Sequence, residues 1–197
     1  MKISSQMIVV LTSVGLLSGG FLATVGQLTK DRIALNKQKE IEKAINIVVP
    51  GTSSSHKLYE AKDFSVYGGQ DAQGKLLGLA VYVTGVGFQD KITLMFGTNP
   101  SLTKIKDLTI LDQKETPGLG AKITDREIFL KFWQNKDCIQ PLKLRKPPVS
   151  SLEELAPSEV NTITGATISS ESVLNIVNSS LERLRKLKSE GKLLAEE

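Results

Sequence analysis

With 197 residues, 40% of them apolar and 23% charged, the chain has room for one globular domain and a short appendage. That composition fits neither a disordered chain nor a polytopic membrane protein. The net charge of +4 is spread over lysines and never forms a basic run interleaved with aromatics, so no nucleic-acid partner is expected.

From Met7 to Leu28 the sequence MIVVLTSVGLLSGGFLATVGQL carries no charge. About 20 such residues cross a hydrocarbon layer of ~30 Å. Thr12, Ser13 and Ser18 can return their hydroxyls to helix carbonyls. Gly15, Ser18, Gly19, Gly20 and Ala23 would let another helix approach closely. The rival reading is a cleaved signal peptide, whose apolar core runs about 7–15 residues and ends at an A-x-A-like site. This stretch is longer and has no clean site of that kind, so residues 1–29 are read as a retained anchor in membrane lipid. Lys2 stands before it, and Lys30, Arg32, Lys37 and Lys39 stand after it. By itself that count puts the following domain in the cytoplasm.

Residues 30–51 read as a connecting helix, with apolar positions at Ile33, Ile41, Ala44, Ile45 and Val48 and a stop at Pro50-Gly51. The polar link Thr52–Ser55 then opens a domain over 52–190, followed by a tail, 191–197. Within the domain, Asp63–Tyr67 pairs with Leu76–Val83 across the turn Asp71-Ala72-Gln73-Gly74. Lys91–Phe96 and Ile105–Leu111 form a second pair around Gly97-Thr98-Asn99-Pro100. Strands in series without intervening helices predict an α+β fold with an antiparallel or mixed sheet, not a doubly wound one.

Thr124 to Gln134 predicts a helix with a capping box, Thr124 at the N-cap and Glu127 three residues on. Phe129, Phe132 and Trp133 near one face read as core. Lys143–Leu155, with Pro147-Pro148, reads as loop. An amphipathic C-terminal helix starts near Ser169, with Val173, Ile176, Val177, Leu181 and Leu184 on its apolar side.

Cys138 is the one cysteine and His56 the one histidine. An internal disulfide, a cysteine metal cluster, a CxxCH haem attachment and a zinc site are therefore excluded. Any redox chemistry falls to an organic cofactor. Two segments stand out as candidates to hold one. Glu115-Thr116-Pro117-Gly118-Leu119-Gly120 is either an ordinary tight turn or a bare-backbone approach for a planar ligand. Asn161–Ser170, NTITGATISS, places small residues and hydroxyls at a helix start. There, either Thr167 or Ser169 caps the helix, or the free amides receive an anion. A third, Gly85-Val86-Gly87-Phe88-Gln89-Asp90, carries little alone.

In this order, Gly-x-Gly-aromatic, ETPGLG after a strand pair, and TGAT opening a C-terminal helix, behind one N-terminal apolar helix, resemble the FMN-binding domain family over nearly the whole chain. That family includes the G subunit of the Rnf ion-translocating electron transport complex (ferredoxin:NAD oxidoreductase) and the C subunit of sodium-translocating NADH:quinone reductase. The short length is more like the former. The resemblance implies that a flavin transferase outside the cytoplasm joins FMN, taken from FAD, by a phosphoester to the last threonine of D-x-x-[S/T]-G-A-T. That threonine is Thr167, preceded by Thr164, Gly165 and Ala166. Asn161 stands at the leading aspartate, a departure that keeps size and loses charge. The ETPGLG turn would line the isoalloxazine, with Glu115 and Thr116 as polar contacts beside Gly118, Leu119 and Gly120.

The implied function is electron transfer within a redox-driven, ion-translocating membrane complex, with covalent FMN as cofactor. The implied partners are the other subunits of that complex and the transferase. The implied location is the cytoplasmic membrane, with the domain on the extracytoplasmic face against the lysine count. No nucleophile–base pair or paired carboxylates point to catalysis by the chain alone. Two other readings stand beside this one. The first is an anchored binding or assembly module without redox turnover. The second is a related extracytoplasmic flavin carrier, or a reductase domain of the nitrous-oxide regulatory type.

Overall fold

The computed structural model describes residues 3–193; Lys2 and residues 194–197 of the expected tail lie outside the described residues. The chain divides into two compact units, Met1–Ile41 and Glu42–Glu197. Helix α1, Ile3–Val48, runs without a break through what the sequence suggested as anchor and connecting helix. Hydroxyls of Ser13, Thr24 and Thr29 each return to the carbonyl four residues earlier. Its most apolar stretch is long enough to cross a membrane, and none of that stretch is buried. The helix stops at Pro50, with Gly51 left-handed at φ +88° and the Thr52 hydroxyl donating to the Val49 carbonyl.

The second unit is built on a six-stranded meander. Its strands are β1 (Ser54–Ala61), β2 (Phe64–Gln70), β3 (Leu76–Val86), β4 (Lys91–Thr98), β5 (Lys104–Asp112) and β6 (Lys136–Asp137), side by side in that order and all antiparallel. A parallel pair follows, β7 (Lys143–Arg145) with β8 (Glu159–Asn161), and then helix α2 (Thr167–Ser189). The α+β class expected from strands in series is the one observed.

Register explains the core. Val66, Val81, Phe96 and Leu108 fall in one cross-strand row, and Phe64, Val83, Leu94 and Ile110 in the next. Nearly all are buried, and they pack with the α2 stripe of Val173, Ile176, Val177, Leu181 and Leu184. Side chains on the opposite sheet face alternate with these. There Ala80 pairs with Gly97, and a Cβ on Gly97 would lie 1.9 Å from the Val48 carbonyl oxygen. The last turn of α1 therefore reaches the sheet where the side chains are smallest, and Ala44, Ile45 and Val48 are buried.

Three local expectations are corrected. The link Thr52–Ser55 runs into an unforeseen strand, β1, whose polar SSHK start lacks an apolar alternation and which pairs only at the sheet edge. The helix expected over Thr124–Gln134 is a turn followed by a 3₁₀ segment, Leu130–Trp133. Thr124 turns its hydroxyl back to the Ala121 carbonyl, and Asp125 instead accepts from the Glu127 and Ile128 amides. Asn135, left-handed at φ +55°, ends the segment. The aromatics are nonetheless core, with Phe129 and Trp133 edge to face at 5.8 Å. Within the expected loop Lys143–Leu155, the first three residues form β7, and Ser151 with Glu154 closes a capping box on a short 3₁₀ turn.

Gly97→Ala forces a methyl group into a backbone oxygen and is expected to destabilise the domain by about 1–3 kcal/mol. Denaturant unfolding of the full chain in detergent measures it, and an unchanged midpoint would contradict the close approach of Val48.

Candidate functional site

Three separated loops meet at the end of the sheet where β3 and β4 turn and β5 runs out. The β3–β4 turn is closed by Gly87 N–H donating to the Asp90 carbonyl at 2.8 Å. After β5, Glu115 turns inward and is 4% exposed. Its Oε1 accepts from the Phe88 amide at 2.8 Å and the Gln89 amide at 3.1 Å. Its Oε2 accepts from the Ser169 hydroxyl in α2 at 2.6 Å. Gln113 Oε1 in turn accepts from the Glu115 amide at 2.6 Å. One carboxylate thus joins all three loops. Two glycines make room for it: a Cβ on Gly87 would stand 2.5 Å from Oε1, and one on Gly120 2.7 Å from Oε2.

Beyond Glu115 the chain makes a type II turn with Pro117 at its second position and Gly118 at its third, at φ +77°. The Thr116 carbonyl accepts from the Leu119 and Ala121 amides, both at 3.1 Å. The Thr116 hydroxyl accepts from Gln89 Nε2 at 3.2 Å, a second link between the same two loops.

The third loop leaves β8 at Asn161. Gly165 is left-handed at φ +79°, and the Ala166 amide donates to the Ile163 carbonyl at 3.0 Å. The Ser170 hydroxyl accepts from the Ile163 amide and donates to the Ala166 carbonyl, which fastens the loop to the helix it opens. That helix begins at Thr167, two residues earlier than its sequence suggested. Its N-cap is Ala166, which has no side chain able to cap. Neither Thr167 nor Ser169 supplies the cap. Ser169 is bound to Glu115, and among the described residues the Thr167 hydroxyl has no hydrogen-bond partner. The backbone N–H groups of Thr167, Ile168 and Ser169 likewise have no acceptor there.

These amides and this hydroxyl open on a pocket of about 360 Å³. Of the residues singled out in the sequence, Glu115, Thr116, Leu119, Gly120, Gly165, Ala166 and Thr167 line it. Gly118 and Thr164 sit on exposed turns beside it. Phe88, Ile168 and Ser169 also line it; they lie in the segments read from the sequence but were not among the expected cofactor contacts. The signals were present: an aromatic directly after Gly-x-Gly, and an isoleucine off the apolar stripe of its helix. Phe88, Leu119 and Ile168 are 58%, 48% and 54% exposed and give the mouth an apolar rim.

Asn161 is not part of the lining. It is buried, its Oδ1 accepts from the Val149 and Thr162 amides, and its Nδ2 donates to the Val149 carbonyl at 2.7 Å. Outside the pocket, Asp90 pairs with Lys114 at 3.3 Å, and acceptance of the Lys91 amide followed by Lys114 holds its carboxyl below the usual range. Cys138 belongs to the core; burial pushes its thiol up. No cluster of metal-ligating side chains occurs among the described residues.

The pocket fits a flavin mononucleotide in kind: unpaired helix amides for a phosphate, and an apolar rim with the Thr116 hydroxyl for a ring system. Comparison with known proteins agrees. The G subunit of an ion-translocating oxidoreductase complex from Methanosarcina acetivorans is 24% identical over 185 residues, spanning 90% of this chain and 93% of that protein. Its namesake from Vibrio vulnificus is 28% identical over 180 residues, spanning 83% and 81%. The crystal structure of Shewanella oneidensis NqrC shares the fold, with a TM-score of 0.54 at 24% identity over 70% of each chain. Residues 87–182, which hold all three converging loops, match the model of the FMN-binding domain family.

Proposed function

We propose that this chain is an electron-transfer subunit of a membrane-bound ion-translocating oxidoreductase complex and carries FMN as a phosphoester on Thr167. The observation that supports it most is the state of Thr167: a free hydroxyl on the first residue of an uncapped helix, facing the pocket. Attachment joins the Thr167 oxygen to the phosphorus of the FMN half of FAD. The pyrophosphate bond breaks, AMP leaves, and the hydroxyl proton is released. A flavin transferase supplies the catalysis for this step.

The phosphodiester then keeps one negative charge beside the free amides of Thr167, Ile168 and Ser169, where the helix dipole favours it by ~0.3–1 kcal/mol. Gly165, without a side chain and with an ideal Cβ position 3.3 Å from Leu119, keeps access to the hydroxyl open. Thr116, Leu119 and Gly120 line the ring side with Gly118 on the exposed turn beside them, and Ala166 lines the attachment point with Thr164 beside it. Bound FMN supplies one- and two-electron chemistry, and the chain's own residues hold, orient and partly shield it.

The relatives named as subunits of oxidoreductase complexes support a role beside other subunits. The apolar length of α1 supports an anchor over residues 1–29, with residues 30–51 leading into a domain over 52–190. Because the transferase works outside the cytoplasm, the domain faces the extracytoplasmic side, against the lysines that follow the anchor.

Full-length protein made together with an active transferase is expected to weigh one FMN more, less one water, than its polypeptide. Thr167→Ala removes the added mass and the in-gel flavin fluorescence, and Thr167→Ser retains both. A wild-type mass equal to the bare polypeptide overturns the carrier reading and leaves a binding or assembly module. For orientation, protease added to sealed right-side-out cells digests the domain without lysis; digestion only after lysis places it in the cytoplasm.

A further inference from the structure

We infer that Glu115 is a positioning residue for flavin attachment, holding Thr167 in place through Ser169, and that it is not a direct contact of the flavin. This rests on the carrier reading above. The carboxylate is buried and already engaged by three donors inside the domain: the Phe88 and Gln89 amides on one oxygen and the Ser169 hydroxyl on the other. Ser169 is two residues from Thr167 in the same first turn of α2, so a constraint on one is a constraint on the other.

The free helix end needs such a constraint. Ala166 provides no cap, and the turn before it depends on a left-handed glycine. From within the loop, the hydroxyl and the amide of Ser170 tie the turn to the helix. Glu115 adds the link to the sheet, because the Gly87–Asp90 turn it binds continues directly into β4. The two glycines whose Cβ atoms would strike its oxygens, one in the β3–β4 turn and one in the ETPGLG segment, keep the carboxylate seated between the loops.

Attack on phosphorus needs the acceptor oxygen in line with the leaving group, and a displacement near 1 Å costs about 10²-fold in rate. Glu115→Ala is therefore expected to slow attachment at least about tenfold. Glu115→Gln restores the rate to within about threefold of wild type, since its amide oxygen accepts both N–H groups and its NH₂ donates to the Ser169 oxygen. Ser169→Ala breaks only the link to the helix and slows attachment several-fold, with the β3–β4 turn still held.

The test is a time course of flavin incorporation into the full-length chain in membranes, read by intact mass, with unfolding midpoints measured in parallel. Attachment to Glu115→Ala at the wild-type rate overturns the proposal. So does a Glu115→Gln variant no faster than Glu115→Ala, which would indicate a need for the charge itself. Should Glu115→Ala fail to fold, Ser169→Ala decides, and a wild-type rate for it overturns the proposal. A wild-type chain that takes up no flavin overturns the carrier reading and this proposal together, an outcome distinct from any difference among the variants.

Discussion

The carboxylate of Glu115 sits where the sheet ends and α2 begins, and the geometry of the site follows from keeping it there. A carboxylate at 4% exposure is tolerable only with donors in place, and it has three. Each donor left unpaired in such a place costs about 1–3 kcal/mol, so the three loops are held mutually. The same atom explains the spacing of small residues. Gly87 and Gly120 lie 33 positions apart in sequence, yet each is obliged to be small by an oxygen of the same side chain. Motifs that look independent along the chain are thus one packing unit.

Against this well-satisfied centre, the start of α2 is left unfinished. A serine, threonine or asparagine at the N-cap would stabilise the helix by about 0.5–2 kcal/mol over the alanine found there. Of the three hydroxyl residues in the first turn, Ser169 is turned to Glu115, Ser170 to the Ile163 amide and the Ala166 carbonyl, and Thr167 to the open pocket. The cost is bearable because the rest of α2 is fixed by its buried stripe from Val173 to Leu187, and local incompleteness does not threaten the fold. Unpaired amides and a free hydroxyl beside an apolar rim make up a site that a phosphate-bearing planar group would complete. A departure from local rules at one point in an otherwise consistent structure is the usual mark of a functional site.

What was legible in the sequence follows the same physics. The α2 stripe could be read because it buries one face, and the β2–β3 and β4–β5 pairs because their largely buried strands read as apolar runs between turn signals. Strand β1 could not, since Ser54, Ser55 and Lys57 line a sheet edge held by backbone pairing, where no face must be apolar. The helix expected at Thr124 failed for a different reason. Its capping pattern was sound in composition, but Asp125, one position on, competed for the same amides and tightened the chain into a turn. At the site, the spacing of TGAT and ETPGLG marked the right loops. The partner of Ser169 and the inward turn of Glu115 depend on contacts 54 residues apart that local patterns do not encode.

Asn161 shows how a change of charge in a motif can leave its geometry standing. It lies in β8, and its amide spans the gap to the preceding loop by accepting from the Val149 and Thr162 amides while donating to the Val149 carbonyl. An aspartate could make the first two bonds and would meet the carbonyl with a second lone pair, so the asparagine is the better match to this loop as it is folded. Beside it, the Thr162 hydroxyl donates to the Arg145 carbonyl, and β7 and β8 pair in parallel between the same segments. The head of the motif is therefore architectural: it fixes the point from which Thr164 to Thr167 emerge. Asn161 is buried outside the pocket, and its bonds tie the loop to Val149 rather than line the site.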